Sequence, residues 1–191
     1  MARGPSSFPP VEAALEPIHR LTVEDVFAML DAGVLSGDER VELIDGILLD
    51  VPPAGEPHSQ AVAWLTEYFV RGIGPDLQVR VQDTLFVPRG FLSPDLIVIG
   101  RDSRRERLTS ALLAIEVTRT TRGRDEGKAV DYAQAGVLEY WRIDLETAEV
   151  VVRRRPTGDA YEDLRRCTAG EALQPPFDAP ALDVAAVLEL A

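Results

Sequence analysis

The order of elements along the chain predicts a mixed α/β fold, a central mixed sheet flanked by helices. Three observations carry this. Segments follow one another as helix, hairpin, helix, several strands, helix and strands, without the regular alternation of a doubly wound fold. Two pairs of extended runs, within 40–52 and 138–155, are spaced as hairpins. One run, LLAIEVT at 112–118, is almost continuously aliphatic, the pattern of a strand buried on both faces. The 191 residues fit a single domain over 21–191 behind a flexible, Pro-rich lead-in at 1–20.

LTVEDVFAMLDAG (21–33) reads as the first helix, with Thr22 as N-cap, Glu24 and Asp25 in its first turn and Gly33 closing it. In RVELIDGILLDVP (40–52), Asp45-Gly46 is a type I′ turn signal between two apolar strands. HSQAVAWLTEYFVRG (58–72) is helical, with Val62, Leu65, Phe69 and Ile73 on one stripe. DLQVRVQDTLFVP (76–88) is extended, and SPDLIVIG (93–100) is a short buried strand entered through Ser-Pro. After 112–118 comes GRDEGKAVDYAQAG (123–136), a helix ended by Gly136. LEYWRID (138–144) and AEVVVRRR (148–155) form the second hairpin. The remainder suggests a last short strand, a Pro-rich loop and a small terminal helix.

Composition excludes several functions. There is one cysteine, Cys167, so neither an internal disulfide nor a cysteine zinc cluster can form. No GxGxxG or GxxxxGK[ST] occurs, which removes the dinucleotide fingerprint and the P-loop. No apolar run approaches membrane-spanning length and the N-terminus has no signal-like h-region, so a cytoplasmic protein is expected. A net charge of −12 opposes bulk attraction to nucleic acid, yet 14 of the 20 cationic residues fall between Arg101 and Arg166. The segments 101–107, 118–124 and 153–155 are basic patches on an acidic body. Taken singly, each reads first as a solvated surface.

Three carboxylates stand inside apolar strands: Glu42 in RVELI, Asp95 in SPDLIVIG and Glu116 in AIEV. A buried carboxylate must take up a proton or face a cation. Oxygen-rich sites of this kind suit Mg²⁺ or Mn²⁺, and a divalent ion relieves the repulsion of acids held together. The competing reading is a salt bridge to one of the many arginines. Asp95 also suits a turn cap, and Glu42 suits an edge strand facing water. Of the 20 cations, 19 are arginine; Lys128 is the single lysine, 12 residues after Glu116. Asp125, Lys128 and Tyr132 share one helical stripe. Lys128 is either a surface partner of Asp125 or an ammonium aimed at the carboxylates, where it can position a water and neutralise phosphate charge.

SPDLIVI followed by AIEVTRTTRGRDEGKAVDYAQAGVLEYWRID resembles the Uma-type putative restriction endonuclease family of the PD-(D/E)XK nuclease superfamily. The likeness runs from about Leu21 to Val152 and is most specific in its central residues, the EYWRID after AGV above all. It implies a restriction-endonuclease-like core and Mg²⁺-dependent (or Mn²⁺-dependent) endonuclease activity on DNA. It further implies a metal site at Asp95 and Glu116 with Glu42 as the upstream acid. The superfamily's third motif residue is lysine, where this chain has Thr118; the resemblance implies that Lys128 on the following helix takes its place. His58 matches a family histidine that could touch a phosphate or metal ligand, although a packed or surface histidine is the first reading. Tyr132 and Trp141 read as core aromatics. Arg119, Arg122 and Arg124 are candidates for phosphate contact, and a two-stranded target suits a homodimer. The alternative is a catalytically silent nuclease-fold binding or assembly module.

Overall fold

The computed structural model describes residues 19–102, 107–118 and 122–190, with side chains of the last segment from Gly127 onward. The first helix, α1 (Val23–Asp31), starts with a capping box. Thr22 accepts from the Asp25 N–H, and the Asp25 carboxylate accepts from the Thr22 N–H at 2.8 Å. The hairpin β1 (Val41–Ile44) and β2 (Ile47–Asp50) turns at Asp45 and Gly46, with φ of 49° and 72°, as a type I′ turn requires. The second helix, α2, spans Glu56–Gly72 and begins two residues before His58, since Pro57 fits the first turn, where no N–H is needed.

The extended segment after α2 is two strands, not one. β3 (Leu77–Val81) and β4 (Leu85–Val87) enter different sheets. The break lies at Gln82, whose φ of 51° ends the extended conformation. β5 (Gly90–Leu92), too short to show a period, follows β4 as a hairpin, and β6 spans Leu96–Gly100. Then come β7 (Leu113–Thr118), α3 (Arg122–Gln134), β8 (Glu139–Asp144) and β9 (Glu149–Thr157). The anticipated short final strand is β10, eight residues over Ala160–Cys167. A small pair, β11 (Ala172–Leu173) and β12 (Leu182–Asp183), leads into α4 (Val184–Leu188).

The main sheet has six strands in the order β10-β9-β8-β7-β6-β3. It is antiparallel except for β7 and β8, which are parallel and joined by the α3 crossover. All six residues of β7 are buried, as its aliphatic run predicts. On one face α2 and α4 pack Leu65, Phe69, Val184 and Val187 against Ile115, Trp141 and Ile143. On the other, Ala129 and Tyr132 of α3 meet Ile97, Ala114 and Tyr140. Each large apolar side chain so buried contributes about 1.5–3 kcal/mol.

The smaller sheet, ordered β2-β1-β5-β4, makes β1 an interior strand. That corrects the expectation that Glu42 could lie on an exposed edge. β1 and β5 meet at Leu43 and Phe91, and the adjacent Gly90 has φ of 151°. A Cβ there would stand 1.8 Å from the Leu43 carbonyl oxygen. Gly90→Ala is therefore expected to destabilise the protein by about 3 kcal/mol or more, from backbone strain plus the clash. Urea unfolding of the variant checks it; a loss below 1 kcal/mol contradicts so close a contact.

Candidate active site

Four elements deliver the ionisable residues to one place. Glu42 comes from β1, Asp95 from the turn entering β6, Glu116 from β7 and Lys128 from the second turn of α3. All four are buried, Glu42 at 1% exposure and Lys128 at 6%. Lys128 Nζ donates to Glu42 Oε1 at 2.8 Å and to Glu116 Oε1 at 2.9 Å. The reading of Lys128 as a surface lysine therefore fails. Among the described residues no arginine pairs with Glu116; the ammonium does so.

The surrounding groups fix these side chains. Glu42 Oε1 also accepts from the Ser93 backbone N–H at 3.0 Å, tying β1 to the loop that carries Asp95. Asp95 Oδ2 accepts from the Val117 N–H at 2.9 Å, one residue beyond Glu116, and from His58 Nε2 at 3.0 Å. Asp95 thus does more than cap a turn. His58, read first as a packed or surface residue, stands at 19% side-chain exposure and joins α2 to the cluster. It also lines a groove of about 520 Å³ with Val62, Thr66, Val81 and Gln82. Tyr132 is a core aromatic, but its hydroxyl donates to Glu116 Oε1 at 2.6 Å. Trp141 is a core residue, its indole N–H donating to Glu139.

Burial raises the Glu116 carboxyl to about 7, against the opposing pull of Lys128 and with added repulsion from Asp95 and Glu42. Burial works against the Lys128 charge, but Glu116 and Glu42 outweigh it and hold the ammonium above an ordinary lysine. The hydrogen bond to Asp95 raises His58 despite partial burial. Desolvation pushes the Tyr132 hydroxyl well up, and the Glu116 charge pushes it further, so it remains a donor. Tyr132→Phe is expected to lose about 1.5–3 kcal/mol, the value of a hydrogen bond to a charged group. Chemical denaturation measures it, and an unchanged midpoint means that the bond contributes nothing to stability.

The donor set suits a hard divalent cation. Asp95 and Glu116 would supply carboxylate oxygens, and the charge of Asp95, which raises the Glu116 carboxyl, is a repulsion that such an ion would relieve. Among the described residues, no three Asp, Glu, His or Cys side chains are arranged to hold a metal. Two carboxylates are sufficient for Mg²⁺, which keeps several waters. Arg119 lies outside the described residues, as do the side chains of Arg122, Arg124 and Asp125. No described helix is long and apolar enough to cross a membrane.

Comparison with known proteins agrees with this architecture. No curated protein matches the chain. The chain is similar in structure to a putative nuclease of the DUF820 group from Anabaena variabilis ATCC 29413, with a TM-score of 0.74. The likeness covers 89% of this chain and 98% of that one at 15% sequence identity, so it speaks to the fold alone. The model of the family described as "Uma2: Putative restriction endonuclease" matches residues 23–187, from the first residue of α1 into α4. A match of that length covers every strand and all four residues of the buried cluster, and so the chain belongs to the Uma2 family.

Proposed function

We propose that this protein is an endonuclease that hydrolyses phosphodiester bonds in DNA with the help of Mg²⁺ or Mn²⁺. Lys128 carries the reading: the only lysine in the chain is buried and shared between two carboxylates beside a third. A structural ion pair has no need of lysine in a chain that otherwise uses arginine throughout. A compact ammonium does suit a reacting phosphate, because it can orient a water and neutralise charge growing on the oxygens. Asp95 and Glu116 would hold the ion, with Glu42 as the further acid; the ion supplies Lewis-acid polarisation of a phosphoryl oxygen. His58 keeps the Asp95 carboxylate oriented, and Tyr132 does the same for Glu116. Family membership supports a nuclease and hence a nucleic-acid substrate.

The test is nicking of supercoiled plasmid with Mg²⁺ or Mn²⁺, comparing wild type with Asp95→Asn, Glu116→Gln and Lys128→Ala. Cleavage by the wild type alone is expected. Equal activity in all four proteins removes these residues from the chemistry.

Two observations favour the second reading, a silent binding module. Lys128 already satisfies one oxygen of each of two acids, and no three-residue metal group forms among the described residues. That reading gives no nicking over long incubation and no heat of Mn²⁺ binding.

A further inference from the structure

Arg142 of β8 lies opposite Glu116 of β7 in the parallel register. Residues so paired project from the same face of a sheet. Tyr140, two residues earlier in β8, marks that face, since its ring meets Tyr132 of α3 at a centroid distance of 4.8 Å. Arg142 therefore points into the layer that holds Glu116 and Lys128. It is 4% exposed, and neither Nε nor Nη1 has a hydrogen-bond partner.

This is an anomaly with a physical consequence. A guanidinium keeps its charge, so it cannot escape burial by losing a proton as a lysine can. An unpaired buried charge is costly. No hydrogen bond or ion pair joins it to Glu116 or Asp144, the acids on its face of the sheet among the described residues, and one oxygen of each is engaged elsewhere. Glu116 Oε1 serves Lys128 and Tyr132, while Asp144 Oδ1 accepts from the N–H groups of Glu146 and Thr147. What the guanidinium lacks is an anion with more than one acceptor oxygen, and a phosphate group is such an anion.

We propose that Arg142 is a phosphate-binding residue, receiving an oxygen of the substrate's phosphodiester backbone beside the Glu116–Lys128 pair. The identity of that anion as a nucleic-acid phosphate rests on the nuclease reading above; the existence of the anion site does not. Lys128 faces the carboxylates, whereas Arg142 offers donors that no carboxylate occupies, so the two cations divide the work. The ammonium organises the acids, and the guanidinium holds the substrate.

The test compares wild type, Arg142→Met and Arg142→Lys in two assays. Melting is followed in EDTA, with and without inorganic phosphate at matched ionic strength. Phosphate is expected to raise the wild-type melting temperature. Arg142→Met is expected to melt higher than wild type without phosphate, because it removes an unpaired buried charge, and to gain nothing from phosphate. In plasmid cleavage its KM is expected to rise about 10- to 100-fold, the value of a charge-assisted hydrogen bond, with Arg142→Lys recovering part of the loss. An Arg142→Met protein that melts at or below wild type, or that phosphate stabilises as much as wild type, overturns the proposal. If wild type cuts no DNA yet its phosphate response depends on Arg142, the anion site stands and the nuclease reading falls.

Discussion

Lys128→Ala is expected to abolish plasmid cleavage and to cost about 3–5 kcal/mol of folding stability, the scale of breaking one partner out of a buried ion pair. The reason is local. Glu42 and Glu116 both give an oxygen to the ammonium, and removal of the ammonium leaves two buried carboxylates facing each other. The loss depends on pH with a definite sign. Glu116 already sits at about 7 in the fold, above the 4.5 of a free glutamate. Without Lys128 its carboxyl rises further, because the largest favourable charge is gone. A carboxyl raised in the folded state stabilises most below its unfolded value and stops doing so as pH climbs through the folded one. The variant measured in EDTA is thus most impaired near pH 8 and recovers toward pH 5. A pH-independent loss contradicts the pairing.

The second large effect belongs to Glu116→Gln and Asp95→Asn. Each removes a charge while keeping shape. Cleavage is expected to fall on the order of 10²–10³-fold, as when one stabilising group is taken from a reaction centre. Stability is expected to move the other way for Glu116→Gln. The substitution takes a strained charge out of a buried strand and still offers the amide oxygen to Tyr132 and Lys128. A variant that is both inactive and at least as stable as wild type separates chemistry from folding. Loss of both together would instead mark Glu116 as a scaffold residue.

These residues were legible in the sequence because each broke a local rule. Glu42, Asp95 and Glu116 stood where strands prefer apolar side chains, and Lys128 was one cation unlike the other 19. The Asp45-Gly46 turn and the Thr22 cap were legible too, since both are written within a few residues. What escaped depended on distant pairing. Tyr132 looked like a core aromatic and is one; only the approach of β7 gives its hydroxyl a carboxylate. His58 meets Asp95 across 37 residues of chain, a contact no helical period reports. Arg142 was hidden inside EYWRID, and its exceptional state appears only once β8 is buried. The strand break at Gln82 carries no glycine or proline to announce it.

The proposed catalysis requires Asp95 and Glu116 to grip a divalent ion beside a buried ammonium. A crystal soaked in Mn²⁺ tests this most directly by anomalous scattering. One Mn²⁺ peak touched by the carboxylates of Asp95 and Glu116 is expected, with Lys128 nearby, and no peak in Asp95→Asn. A wild-type crystal with no anomalous peak at these carboxylates contradicts it.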